Sequence, residues 1–361
     1  HLHPLISEVV LDELKPDEQT CAVFLQKLEQ KMEETAQDYS AAKPYIPVAL
    51  HTGEVLYRKD SLLAVNKLEG IASFLSIAAL YSDKLRFETK AICIRESLLS
   101  PDDPNLATSY NNIGITHGKL GDYEKELEFL LKALAIREKI FTPDHPNLAT
   151  SYDNIGATYG GLGNREKALE FEVKALAIRE KVLPPDHPDL ATSYNNIGIT
   201  YGKLGDHEKA LEFEVKALAI FEKVLPPDHP DLATSYNNIG TTYVELGNHE
   251  KALEFEVKAL TIQEKVLPPD HPDLATSYNN IGVTYSKLRD YEKTLEFLLK
   301  ALAIQEKILT PDHPDLAAAY DSIEFTYREL EDYEKALEFK LKALAIQEKI
   351  LTPDHPDLTT S

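Results

Sequence analysis

The sequence predicts an all-α fold, a solenoid in which antiparallel helix pairs stack one on another. The first observation is a repeat with a fixed period of 42 residues. The second is that each repeat contains two stretches with the apolar spacing of an amphipathic helix. The third is that prolines and glycines separate these stretches at recurring positions. A unit of this size buries its apolar side against its neighbours, so we expect the repeats to stack.

Six complete repeats occupy residues 104–355, and residues 356–361 begin a further copy that is cut short. Each copy opens at a proline that lies 42 residues after the previous one. These prolines are Pro104, Pro146, Pro188, Pro230, Pro272, Pro314 and Pro356.

The repeat that opens at Pro188 shows how the first helix is predicted. Pro188 suits the first helical turn, because its φ is fixed and it has no N–H to leave unpaired. Tyr194, Ile197 and Tyr201 then recur at helical spacing and predict a buried side. Gly198 lies on the same side, where a missing side chain lets the second helix approach closely.

The turn and the second helix follow from the next residues of this repeat. Gly205 is expected to end the first helix in the left-handed conformation, and Asp206 to cap the second. Pro226-Pro227 ends the second helix, since proline cannot continue it. The residues expected to form its apolar side are Ala210, Leu211, Phe213, Val215, Ala217, Leu218 and Ile220.

This pattern resembles the tetratricopeptide repeat, which has Leu, Gly and Tyr landmarks in its first helix and Ala and Phe in its second. The usual unit has about 34 residues, and the longer unit here is similar to the repeats of kinesin light chains and of many bacterial signalling proteins. The resemblance covers residues 104–361; HEAT and armadillo repeats have similar periods but lack these landmarks. It implies a right-handed superhelix whose first helices line a concave surface that binds a protein or peptide.

The residues before the repeats fall into two parts. Residues 1–61 do not follow the period and predict a helical junction, with helices near Pro4, from about Asp17 and from Pro47 to Tyr57. Residues 62–103 predict a degenerate repeat, because they align with the next repeat although their first helix has lost its Gly and Tyr landmarks. An atypical unit is expected where an array ends or joins another module.

The segment His3-Pro4-Leu5-Ile6 resembles the helix that ends the winged-helix module of STAND-type (NB-ARC or NACHT) NTPases, just before their sensor repeats. The resemblance implies that residues 1–61 are the end of such a module plus a spacer, and that the repeats sense a ligand while contacting the NTPase module. The chain contains no P-loop (GxxxxGK(S/T)). The chain does not begin with Met and stops inside a repeat, so we expect both ends to be cut. We expect the nucleotide-binding half to lie upstream of His1.

Composition argues against several classes of partner. The net charge is −22, from 38 Lys and Arg against 60 Asp and Glu, which disfavours nucleic acid and anionic membranes. Cys21 and Cys93 form no CxxC pattern, so neither a disulfide framework nor a zinc site is expected. No apolar run reaches the ~18 residues that span a membrane. We expect a cytoplasmic protein.

No catalytic, metal-binding or cofactor-binding residue is predicted. The connector histidines, such as His187 and His229, lie one repeat apart, too far to share one ion, and are interpreted as turn residues. No Ser/His/Asp or Cys/His set departs from the repeat background. The chain is therefore not expected to be an enzyme.

The side of the first helix opposite the core is the candidate binding surface, because three of its positions change between repeats while core positions barely change. The first position reads Ile115, Ala157, Ile199, Thr241, Val283 and Phe325. The second reads Gly118, Gly160, Gly202, Val244, Ser286 and Arg328. The third reads Lys119, Gly161, Lys203, Glu245, Lys287 and Glu329. Such variation fits a surface diversified for a partner; the alternative is drift, although other exposed positions such as the Glu208-Lys209 pair stay fixed across the repeats.

A recurring Asn pair is the other candidate. A carboxamide offers both a donor and an acceptor, which suits an extended peptide backbone, and in related repeats such asparagines hold peptide. The alternative is that each Asn bonds the adjacent helix or its own backbone. The predicted partner-binding residues are Asn111, Asn112, Ile115, Lys119, Asn154, Asn195, Asn196, Ile199, Lys203, Asn237, Asn238, Thr241, Glu245, Asn279, Asn280, Val283, Lys287, Phe325, Arg328 and Glu329.

The last complete repeat departs from the pattern. Glu324 replaces the Gly198 equivalent, and Glu331 replaces the turn glycine. A charge at a close helix contact predicts either a local opening of the packing or a different neighbour.

The function expected from these features is a protein- or peptide-binding module, the ligand-sensing region of a STAND-type signalling or defence NTPase. The alternatives are a stand-alone adaptor similar to kinesin light chain and a structural scaffold.

Overall fold

The computed structural model of the protein describes Lys43, residues 46–57 and residues 62–350. The helices predicted near Pro4 and from Asp17, the His3-Pro4-Leu5-Ile6 segment and the copy that opens at Pro356 lie outside the described residues. Within the described part, α-helices alternate with short loops, a 3₁₀ turn covers Ser76–Ala78 and no strand occurs. The predicted all-α fold is confirmed.

The chain divides into two compact units, residues 1–182 and residues 183–361. The helices of the first are α1 (Ile46–Tyr57), α2 (Leu62–Leu75), α3 (Tyr81–Leu98), α4 (Pro104–Lys119), α5 (Tyr123–Ile140), α6 (Pro146–Gly161) and α7 (Arg165–Val182). The helices of the second are α8 (Pro188–Leu204), α9 (His207–Val224), α10 (Pro230–Glu245), α11 (His249–Val266), α12 (Pro272–Lys287), α13 (Tyr291–Ile308), α14 (Pro314–Glu329) and α15 (Tyr333–Ile350).

Each unit is an α-solenoid of helix pairs. The two helices of one repeat pack together, as α4 does with α5, and the second helix of a repeat also packs on the first helix of the next, as α5 does with α6. In residues 62–103, α2 and α3 form a comparable pair, with α1 packed on α2. The exact limits of the junction and of the degenerate repeat remain predictions.

Every first helix of the six repeats begins at the predicted proline, and the residue before it caps the helix. His187 is extended (φ −74°, ψ 133°), and its Nδ1 accepts a hydrogen bond from the backbone N–H of Asp189 at 3.2 Å. Asp103 does the same with its carboxylate for Asn105 at 2.8 Å. The connector histidines are therefore N-caps, a role that the sequence pattern did not indicate because histidine is outside the usual set of capping residues.

The predicted turn chemistry is confirmed in the repeat that opens at Pro188. Gly205 ends α8 with φ +83°, and the Asp206 carboxylate accepts from the backbone N–H of Lys209 at 3.2 Å. The second helix α9 stops at Val224, and Leu225 is extended before the prolines that follow. Each repeat thus carries its own start and stop signals.

The core lies between the two helices of a repeat and the second helix of the preceding repeat. In the second unit, one cluster joins Leu260 of α11, Ile281 of α12 and Ile304 of α13. Ile197, predicted to lie on the buried side of α8, is fully buried. Repeats therefore share their core across the boundary between them, which explains why an isolated repeat could not bury its apolar side.

Two residues predicted on the apolar side of the second helix are placed differently. Val215 is 45% exposed, so the prediction for it is wrong: its helical position turns away from the packed helices. Phe213 is half-buried rather than enclosed. Its ring stacks on Tyr201, with centroids 5.6 Å apart, and lies 6.1 Å from Tyr194.

The close approach predicted at Gly198 is present. A Cβ at this position would come within 2.8 Å of Glu214 Cγ and 3.2 Å of the Ala210 carbonyl oxygen. At the equivalent position of the last repeat, Glu324 is half-buried and pairs with Arg328 at 3.5 Å. The pair α14 and α15 nevertheless stays packed, so the helices do not separate there.

Candidate functional site

The first-helix face is the set of residues predicted to contact a partner, all of which lie on α4, α6, α8, α10, α12 or α14. The exposed members are Lys119, Asn196, Lys203, Thr241, Glu245, Asn280, Val283, Lys287, Phe325, Arg328 and Glu329. The half-buried members are Asn111, Asn112, Ile115, Asn154, Asn195, Ile199, Asn237, Asn238 and Asn279. None of them is fully buried, so all lie at or just beneath the surface.

The Asn pairs bond from one first helix to the next. In the first unit, Asn154 Nδ2 donates to Asn111 Oδ1 at 3.4 Å, and Arg137 donates to the same oxygen at 3.3 Å. In the second unit, Asn238 Nδ2 donates to Asn195 Oδ1 at 3.0 Å. These four asparagines bond the adjacent first helix, as the alternative interpretation predicts. Part of their hydrogen-bonding capacity is therefore used within the chain.

The last first helix presents an aromatic and charged cluster. The Arg328 guanidinium lies over the Phe325 ring, 5.4 Å from its centroid, which is within cation–π range. Glu329, beside Arg328 in the chain, bonds the hydroxyl of Tyr291 from the preceding repeat. Two variable positions of this repeat therefore contact each other, and the third contacts the preceding repeat.

A depression of about 450 Å³ opens between α8 and α10, in the second unit. Five first-helix-face residues line it together with four residues that were not predicted as partner-binding. The predicted ones are Ile199, Lys203, Asn238, Thr241 and Glu245, and the others are Gly202, His207, Glu214 and Thr242. Its volume falls within the range of about 300–1,000 Å³ that small-ligand pockets span.

Glu214 is a buried carboxylate at this depression. The residue is 4% exposed and bonds the hydroxyl of Thr242, a residue of the next repeat. Burial raises the pKa of the Glu214 carboxyl above its ordinary value, while the Thr242 hydrogen bond and the nearby His207 act in the opposite direction. Its Oε2 atom is buried and has no hydrogen-bond partner.

The sequence carried a signal for Glu214 that the predicted apolar side of the second helix did not include. Glu214 follows Ala210 by four residues and precedes Leu218 by four, so it lies on the same side of α9 as the buried apolar residues. The equivalent position is Leu130 in the first repeat and Leu298 in the fifth, and both leucines are buried. Comparison between repeats would therefore have identified a core position occupied by a carboxylate.

The next repeat has an equivalent buried carboxylate, but a different residue stands at the position of Gly202. Glu256 is 6% exposed, and its Oε1 accepts from the Thr284 hydroxyl at 3.0 Å. Burial raises the pKa of this carboxyl too. Val244, however, stands where the preceding repeat has Gly202.

Metal binding and membrane insertion find no support in the part of the chain that the structure describes. There, no group of three or more His, Cys, Asp or Glu side chains is placed to hold a metal ion. None of the helices in residues 46–57 and 62–350 has the length and apolar character needed to cross a bilayer.

Comparison with known families and structures identifies the repeats. A family model described as tetratricopeptide repeat matches residues 127–181, 173–223, 215–265, 231–293 and 273–349, and a second model of the same description matches residues 106–147. Together these matches cover more than half of the chain. Among curated proteins no match was found.

Solved structures share the fold. A Podosopora anserina protein, described as a kinesin light chain with nearly identical TPR-like repeats, is 25% identical, with a TM-score of 0.52 over 56% of this chain and 96% of that one. BtubC (BKLC) from P. vanneervenii is 21% identical, with a TM-score of 0.52 over 66% of this chain and 91% of that one. The apo form of RapI is 16% identical, with a TM-score of 0.57 over 79% of this chain and 98% of that one. At these identities the last two show the fold alone.

Proposed function

The chain belongs to the tetratricopeptide repeat family, and from this premise we propose that it binds a protein or peptide along its first-helix face. The observation that carries the proposal is the depression between α8 and α10, where Ile199, Thr241 and Glu245 border one opening. These three residues occupy positions that differ from repeat to repeat. A surface built this way gives each repeat a different contact with an extended partner.

The chemistry of the first-helix face suits a polypeptide ligand. Asparagine carboxamides recur along successive first helices, and they supply donors and acceptors for backbone N–H and C=O groups. Apolar side chains such as Val283 and Phe325 are exposed on the same face and can cover side chains of the partner. A binding role accounts for both features without any reaction chemistry.

The test compares two chemically matched substitutions. Val283, on the first-helix face, is 42% exposed, and Val257, on the second helix α11, is 41% exposed. Peptides are first selected on the wild-type protein from a randomised decapeptide pool. We expect Val283→Arg to weaken their binding about tenfold or more, because it places a long charged side chain on the first-helix face, and Val257→Arg to leave it unchanged.

Thermal melting of both variants supplies the control, and we expect the two midpoints to match that of the wild type. If the pool yields no binders, or if both variants lose binding to the same extent, the first-helix face is not the binding surface.

We further propose that the repeats are the sensor region of a STAND-type NTPase. Support comes from His3-Pro4-Leu5-Ile6, and the proposal implies an upstream NTPase module that contacts the repeats in a cytoplasmic signalling or defence protein of bacteria. The alternative is a stand-alone adaptor, which the likeness to the kinesin light chain favours; a third is a structural scaffold.

Reading the gene upstream of His1 separates these roles. A P-loop and an NB-ARC-like module there would establish the sensor role, whereas a coiled coil would replace it with the adaptor. A mass that rises with protein concentration in sedimentation would instead favour the scaffold.

A further inference from the structure

We propose that the depression between α8 and α10 receives a basic side chain, lysine or arginine, of the bound partner, with Glu214 as its counter-charge. This rests on the proposed function, because it names what one part of the first-helix face recognises. Three features support it: the floor of the depression, its opening and the charges around it.

The floor has an unmet hydrogen-bonding requirement. Thr242 bonds the Glu214 carboxylate, while the buried Oε2 has no partner. Buried polar atoms are nearly always paired, so an unpaired carboxylate oxygen at a cavity indicates a missing donor. The terminal torsion of glutamate is soft, and either oxygen can turn toward the opening.

Ammonium and guanidinium groups match this requirement. They carry several N–H donors and no acceptor, and they form charge-assisted bonds with a carboxylate. A neutral donor would pair the oxygen but leave its charge uncompensated in a site of low dielectric constant. A carboxylate from the partner would meet Glu214 with like charge.

The opening above Glu214 depends on Gly202. A Cβ at Gly202 would meet nothing nearer than the Cβ of Ala210 at 3.9 Å, so the space above the helix is empty rather than needed for packing. In the next repeat, Val244 occupies the equivalent position, with Glu256 as the equivalent carboxylate. The space at this position is therefore open in one repeat, whereas the next repeat carries an apolar side chain there, with Glu256 Oε2 also lacking a hydrogen-bond partner.

Of the charged side chains around the opening, one attracts a cation and another repels it. Glu245 borders the depression and adds a negative charge, whereas Lys203 borders it and adds a positive one. Both are exposed, so solvent and salt screen them. Glu214 acts at short range with little screening, and the net charge of −22 attracts a basic segment from a distance.

The test uses four pools of randomised nonapeptides that differ only in a central residue, which is arginine, lysine, citrulline or glutamate. Retention is measured on the immobilised wild-type protein and on the variants Glu214→Gln, Gly202→Val and Glu256→Gln. We expect the wild type to retain the arginine and lysine pools about tenfold better than the citrulline and glutamate pools. Glu214→Gln and Gly202→Val should abolish this preference, and Glu256→Gln should keep it.

The outcomes separate this inference from the proposed function. Retention without preference for a basic residue, or a preference that survives Glu214→Gln, would overturn the pocket assignment while peptide binding stands. If no pool is retained, both proposals fail. Gly202→Val reproduces a residue that the chain already tolerates at this position, so loss of preference with an unchanged melting temperature supports the pocket.

Discussion

Glu214 is a buried carboxylate in the core of the repeats, and it also lines the depression between α8 and α10. A buried carboxylate with one unpaired oxygen is unfavourable compared with the leucine found at the same position in other repeats. Leu130 and Leu298 show that the helix pair accepts an apolar residue there. A glutamate is therefore not required by packing at this position, which agrees with the proposal that Glu214 serves the bound partner.

The pH dependence of stability tests the burial of Glu214 and Glu256. Their pKa values are raised in the folded protein above the ordinary 4.5, first by burial. The folded state then takes up protons more readily than the unfolded state, so the free energy of unfolding rises as pH falls from 7 through the raised pKa values toward 4.5. In the double variant Glu214→Gln/Glu256→Gln this rise should be smaller, as urea titrations followed by circular dichroism will measure.

The pH range must stay above about 5 to isolate this effect. The caps Asp122, Asp206 and Asp332 have pKa values lowered first by hydrogen bonds from neighbouring lysines, so their stabilisation is lost only as pH falls below the ordinary 3.8. Equal slopes for the wild type and the double variant would show that the buried carboxylates do not titrate as inferred.

Core substitutions test which of the residues predicted on the apolar sides of the helices carry the stability. Ile197→Ala removes a fully buried side chain and should cost about 2–5 kcal/mol of unfolding free energy. Phe213→Ala should cost less, about 1–3 kcal/mol, because the ring is half-buried and contributes mainly its stacking on Tyr201. Chemical denaturation of the two variants gives the comparison, and a larger loss for Phe213→Ala would place this ring in the core after all.

At the scale of the helix, local signals in the sequence were sufficient to locate the paired helices of the repeats. Proline sets the start of each first helix, and glycine sets the end of the first four, because both act through the backbone of their own residue. The sequence did not predict the contacts that the next repeat makes. The burial of Glu214 depends on α10, and the Asn195 carboxamide accepts a hydrogen bond from Asn238. Periodicity identifies the side of a helix but not which neighbour covers it.

The turns between paired helices offer a backbone test. Arg289 and Glu331 both have φ +61°, in the left-handed region where a Cβ is unfavourable. Arg289→Gly and Glu331→Gly should each stabilise the protein by about 0.5–1 kcal/mol.

Gly205→Ala is the matched reverse change for these two variants. Gly205 has φ +83°, and no atom lies within 4 Å of the place that a Cβ would take, so only backbone strain is added and a loss of about 1 kcal/mol is expected. Thermal unfolding of the three variants measures the expected gains and the expected loss of stability. If the glycine substitutions destabilise the protein, the backbone is not strained at Arg289 and Glu331.

At the scale of the whole chain, the repeats are interchangeable neighbours. Within each of the two units, a second helix packs on its partner and on the first helix that follows it, and bonds such as Asn195 to Asn238 link adjacent repeats. Stability in such arrays is approximately a sum of repeat terms and nearest-neighbour terms. The period, which is visible in the sequence, therefore also defines the unit that can be removed.

Deleting residues 230–271 tests this modularity. The deletion removes α10 and α11 and joins His229 to Pro272, which recreates the native His-Pro connector. Thr284 then takes the place of Thr242 opposite Glu214, so the interface between repeats is of the same kind. We expect a folded protein with unchanged helicity per residue and a melting midpoint only a few degrees lower, because one repeat and one interface are lost.

The matched control is the deletion of residues 230–248, which removes only the first helix and its turn. It leaves α11 without its partner, exposing core residues such as Leu260, and should lower stability by far more than the in-register deletion. Circular dichroism melts of the two proteins decide between them. If both deletions unfold the chain alike, the repeats act as one indivisible cooperative block and the nearest-neighbour description fails.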